Sequence, residues 1–120
     1  MEKGNFDYEP SLVTDEGKNI RICFDVEHAT EERIPMGGGE PEEVEVIRAY
    51  SVRVDKPVDR SRVINTIVTA EYPEDRMDAV INNYLLDPED VERKAEFQEM
   101  QAWRAHAKEI ATEVMEELNN

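Results

Sequence analysis

A change of hydrophobic period at Pro57 constrains this chain more than any other feature. Before it, apolar residues recur at every second position; after it, at every third or fourth. Ile20, Ile22, Phe24 and Val26 alternate with Arg21, Cys23, Asp25 and Glu27. Such alternation of β-branched and aromatic residues marks a half-buried strand. Cys23 then falls on the polar face unless a second layer covers it. Val44, Val46, Tyr50, Val52 and Val54 share one parity in a second strand, while Ile47 and Ala49 lie opposite and Arg48 interrupts the stripe. An irregularity, a β-bulge, is expected near Arg48. Between the two runs, Glu31 to Glu42 holds Pro35, Gly37, Gly38, Gly39 and Pro41, which predicts a long flexible hairpin tip. Residues 1–17 carry the breakers Gly4, Pro10 and Gly17. Phe6, Tyr8, Leu12 and Val13 are expected to anchor them as a short edge strand.

Beyond Pro57 the period is helical. Asp59 or Ser61 caps a helix with Val63, Ile64, Ile67 and Val68 on one face. Pro73 opens a second, carrying Met77, Val80, Ile81, Tyr84 and Leu85. Asp87-Pro88-Glu89-Asp90 offers a capping carboxylate, a proline at the first helical position and acids in the positive first turn. A third helix is predicted from Pro88 to about Leu118, roughly 45 Å at about 1.5 Å per residue. Phe97, Met100, Trp103, Ala107, Ile110, Ala111, Val114 and Leu118 fall on one of its faces. Glu99, Glu109, Glu113, Glu116 and Glu117 follow another edge. The expected fold is a single α+β domain over residues 1–120, a usual size for one domain. Residues 1–57 form a β-hairpin or small antiparallel sheet, packed on three helices within 58–120, the last one long.

Charge bears on function. Asp and Glu number 29 against 14 Lys and Arg, a formal net charge of −15. A surface of this sign repels nucleic-acid backbones and anionic membranes and favours a basic partner, so direct nucleic-acid binding and membrane binding are not expected. The helical pair between Asp59 and Leu85 offers Asp75 and Asp78 with only Arg76 as a cation on its second helix, a poor DNA reader. No apolar run is long enough to span a bilayer. Met1 to Asp7 lacks the basic start and apolar stretch of a secretory signal. A lone cysteine fits a reducing compartment. A cytoplasmic protein is expected.

No catalytic, cofactor-binding or metal-ligating set is expected. His106 has Glu109 and Glu113 three and seven residues on, but zinc normally takes three or four ligands and His28 lies in the strand region. Gly37-Gly38-Gly39 lacks the lysine and hydroxyl residue of a phosphate loop. No motif ties Cys23 to a base. Asp87, Glu89 and Asp90 lack the central glycine of a calcium loop, and capping accounts for them.

The long helix points to a non-enzymatic interaction role. It is expected to overhang the small sheet, leaving apolar surface for another protein or a second copy of the chain. Met100 and Trp103 are the candidate apolar anchors, with core packing as the alternative; tryptophan is over-represented among interface hot spots. Glu109, Glu113 and Glu116 are the candidate steering charges. Glu113, Glu116 and Glu117 lie where the helix dipole disfavours anions, and no lysine or arginine follows Lys108. The glycine-rich tip is a second candidate contact. One alternative is an acidic mimic of DNA that inhibits a nucleic-acid-binding protein. DNA presents a charge every ~1.7 Å of axis, and Lys94, Arg104 and Lys108 dilute the helix. The other alternative is a small enzyme, which needs a pocket with convergent polar groups.

The run Tyr50-Ser-Val-Arg-Val-Asp-Lys-Pro-Val-Asp-Arg-Ser-Arg-Val-Ile-Asn resembles a segment of small uncharacterised proteins encoded by phages and prophages of gut anaerobic bacteria. In those proteins a hairpin-rich half leads through a "DKP" turn, here Asp55-Lys56-Pro57, into a helix. Leu86-Asp-Pro-Glu-Asp and Ala102-Trp-Arg-Ala-His-Ala-Lys are similar too, so the likeness spans residues 50–118. It implies a structural or assembly role in the host cytoplasm or the virion. It carries over no activity and no site residue.

Overall fold

The computed structural model describes residues 1–120 and sets four strands before three helices. They are β1 (Gly4–Phe6), β2 (Val13–Asp15), β3 (Asn19–Arg33), β4 (Glu42–Asp55), α1 (Arg60–Glu71), α2 (Glu74–Leu86) and α3 (Val91–Leu118). The sheet is antiparallel throughout, in the order β1-β4-β3-β2. The fold is α+β.

The β3–β4 hairpin is its backbone. Pairing of Ile20 with Val54, Ile22 with Val52 and Phe24 with Tyr50 puts these side chains on one face. That face packs on Val63, Ile67 and Val68 of α1 and on Ala107, Ile110, Ala111 and Val114 of α3. Each buried aliphatic side chain there stabilises by about 1.5–3 kcal/mol. Ala107 and Ala111, one turn apart and fully buried, let α3 lie close to α1. The expected irregularity near Arg48 is present. Asp25 and Val26 of β3 stand against the single residue Ala49 of β4, so the extra residue sits on the strand opposite Arg48.

Residues 1–17 form two short strands rather than one. They lie on opposite edges of the sheet, so residues 7–12 must cross the hairpin. They cross on the side away from the helices, where Tyr8 lies beside Arg21 and Glu9 is 3.2 Å from His28. This crossing strap is the second layer that covers Cys23. Pro10 is buried in it, Cys23 is 2% exposed, and the Cys23 N–H donates to the Leu12 carbonyl at 3.0 Å. Glu9 and then Glu45 hold the His28 imidazole above its ordinary range by accepting its N–H bonds.

Asp59 caps α1, accepting the Arg62 N–H at 2.8 Å. The α3 cap differs from expectation. Asp90, not Asp87, accepts the Arg93 N–H, at 3.0 Å. The run Asp87-Pro88-Glu89 is spent on a turn closed by the Asp90 N–H and the Asp87 carbonyl at 3.2 Å. The helix is nonetheless one unbroken rod of 28 residues, about 42 Å long at 1.5 Å per residue. Its expected overhang is largely filled by α2. Tyr84 stacks on Phe97 with centroids 4.2 Å apart, and Tyr72 and Val80 form a second small core with Met100.

The molecule is elongated all the same. Its radius of gyration is 18.2 Å and its longest extent 56 Å, whereas a compact chain of this length has a radius of about 13.6 Å. The excess lies in the hairpin, which runs past the helical layer.

Candidate functional site

Two surfaces meet at the bulge. One is the ribbon that continues beyond it, from Glu27 up β3 and back down β4 to Val46. Val46 is its one buried side chain. β1 flanks only its base, pairing with Ile47 to Ala49. Ile34 is 70% exposed and Met36 fully exposed at its end. Gly37, Gly38 and Gly39 all take positive φ there, which reverses the chain in a way other residues resist. Glu40, Glu42, Glu43 and Glu45 run up the returning side, and Arg33 and Arg48 are the only fixed cations between Glu27 and Arg48. Arg48 pairs with Glu31, whose carboxyl is held below its ordinary range by Arg48 first and Arg33 second.

The other surface is the acidic edge of α3. Glu109 is 78% exposed along its side chain, and Glu113 and Glu116 are also exposed. These candidate steering residues therefore share one solvent-facing edge. The apolar anchors do not join them. Met100, expected on the contact surface, is 0% exposed because α2 folds over it. Trp103 is half-buried. Its indole N–H donates to the Ile67 carbonyl at 3.0 Å, and its ring meets Tyr50 edge-on at 5.7 Å. It belongs mainly to the packing between α3 and the sheet.

In the sequence His106 has Glu109 and Glu113 as acidic neighbours along its helix. The structure adds Asp25 from the bulge. Both Asp25 oxygens approach His106 Nε2, at 2.8 and 2.9 Å, while Glu109 lies 3.8 Å from Nδ1. Asp25 is the only non-glycine residue with positive φ, at 54°. Aspartate tolerates that region better than most residues, and a β-bulge of this kind usually places glycine there. The bulge thus aims a carboxylate across to α3. The one sequence signal for this was the break in alternation, which fixes neither the strand nor the partner.

The positive φ has a measurable consequence. Asp25→Ala is expected to be about 1 kcal/mol less stable than Asp25→Gly in urea unfolding, because only glycine enters this region freely. Equal stabilities would mean that residue 25 is not left-handed.

The Asp25–His106 pair divides two open clefts. One, of about 610 Å³, runs between the strap and α3 past Pro10, Leu12, Ile110 and Glu113. The other, of about 580 Å³, lies toward Tyr50, Tyr72 and Trp103. No group of three ligand-type side chains converges to hold a metal ion. No helix is long and apolar enough to cross a membrane. Comparison with protein-family models, with curated proteins and with solved structures gives no match to this chain.

Proposed function

We propose that this is a non-enzymatic protein-interaction module that uses its hairpin ribbon to engage a basic protein partner. The observation behind this reading is the outer part of the hairpin, residues 30–43, none of which is buried. A two-stranded ribbon is marginally stable in water by itself, yet this one carries exposed Ile34 and Met36 to its end. A partner surface would supply the missing layer. The ribbon's glutamates and the edge formed by Glu109, Glu113 and Glu116 favour a cationic partner and raise its rate of encounter. Mimicry of DNA is less well supported, since Asp15, Glu16, Glu31 and Glu71 each already pair with a cation of this chain. The setting, assembly of a phage or prophage particle in the host cytoplasm or within the virion, is supported by the resemblance of residues 50–118.

A photoreactive side chain at Met36 is expected to cross-link one basic protein in the cells that make it. The same probe at the exposed Asn65 of α1 should not. Matching products from both positions, or none from Met36, would contradict the reading.

A further inference from the structure

The cleft of about 580 Å³ between the N-terminal residues, the bulge and the middle of α3 is lined by aromatic faces and carboxylates together. Tyr50, Tyr72 and Trp103 supply the rings, and Asp25, Glu71 and Glu99 the acids. Aromatic faces attract cations through the ring quadrupole, and carboxylates accept the N–H bonds an ammonium group must keep when it leaves water. The chain itself places ammonium groups here. Lys3 Nζ stands 5.1 Å from the Tyr50 ring centre, and the Met1 ammonium donates to Glu71 Oε2 at 2.6 Å. Asp25 is engaged by His106, Glu71 by Met1 and Arg76, and Lys3 by Glu27, whereas the exposed Glu99 has no ion-pair or hydrogen-bond partner within the chain. The Tyr72 hydroxyl is held above its ordinary range, first by burial. Arg76 opposes this, and Glu99, Glu71 and Glu96 reinforce it, as expected beside a negatively charged cleft.

We infer that this cleft is a binding site for a primary alkylammonium group, carried either by a free amine or by a lysine side chain of another protein. The incoming group lies between the Trp103 and Tyr50 rings and Glu99, and Lys3 is its resident competitor. The site does not include the ribbon tip, so it stands or falls separately from the ribbon's role.

Trp103 is the only tryptophan and reports on its own site. The full chain is titrated at constant ionic strength with n-butylammonium, with neutral butan-1-ol and with the peptide acetyl-Gly-Lys-Gly-amide, following indole fluorescence. Butylammonium is expected to give a saturating change that butanol does not. Glu99→Gln should weaken binding about two- to fivefold, the range for an exposed ion pair. Lys3→Ala, which removes the competing cation, should tighten it. A peptide that binds more tightly than butylammonium identifies a protein lysine as the ligand, and a weaker one identifies a free amine. An equal response to butanol, or a curve unmoved by both Glu99→Gln and Lys3→Ala, would overturn the assignment.

Discussion

Met100→Ala lowers the unfolding free energy by about 2–5 kcal/mol, the range for truncating a fully enclosed large side chain to alanine. The helical stripe of α3 gives no hint of so large an effect, because on the isolated helix Met100 and Trp103 are equivalent positions. They become inequivalent when α2 docks. Tyr72 and Val80 close over the thioether, while Phe97 and Met77 seal its sides. The cavity left by alanine cannot collapse easily, since the stacked Tyr84–Phe97 pair holds α2 at its distance from α3. Glu116→Ala, on the exposed edge of the same helix, should stay within about 0.5 kcal/mol of the parent, as surface substitutions usually do. Urea unfolding of the three proteins checks this. If Met100→Ala matched Glu116→Ala, the thioether would be at the surface and the packing of α2 described above would be wrong.

The elements that rest on local rules were legible in the sequence. The period-two runs mark β4 and the inner part of β3, the break at Arg48 marks the bulge, and Asp59 marks the start of α1; Glu31 to Arg33, within the expected flexible tip, instead extend β3 by pairing with Val44 to Glu42. Asp87 and Asp90 illustrate the limit of such rules. Both precede a helical stretch with a competent carboxylate, and the choice turned on whether Pro88 opens the helix or shapes the turn before it. Cys23 shows a longer-range limit. Its burial depends on residues 7–12 crossing the sheet, which follows from β1 and β2 taking opposite edges and not from any pattern near Cys23. The Asp25–His106 contact joins residues 81 positions apart, with no local signature at either end. The bare ribbon left a faint trace. After Val26, the sequence His28-Ala29-Thr30-Glu31-Glu32 offers no apolar stripe to either face, as expected for a strand that no layer covers in the isolated chain.

That uncovered ribbon has the largest expected effect, and it is read by amide hydrogen exchange. Amides of β3 and β4 near Ile22 and Val52 sit over the core and are expected to exchange only when the whole chain unfolds. Those past the bulge, from Glu27 to Arg33 and from Glu42 to Val46, need only the ribbon to separate. Global unfolding of a domain costs about 5–15 kcal/mol, while opening of a poorly packed segment costs far less. A gap of about 4 kcal/mol is roughly a thousandfold in exchange rate. The most direct measurement is therefore residue-resolved exchange on the free chain in water. Rates at least a thousandfold faster past the bulge than beneath the helices would match a ribbon awaiting a partner. Equal protection along the full length of both strands would mean that the isolated chain already stabilises its ribbon, and the reason for assigning a partner to it would be gone.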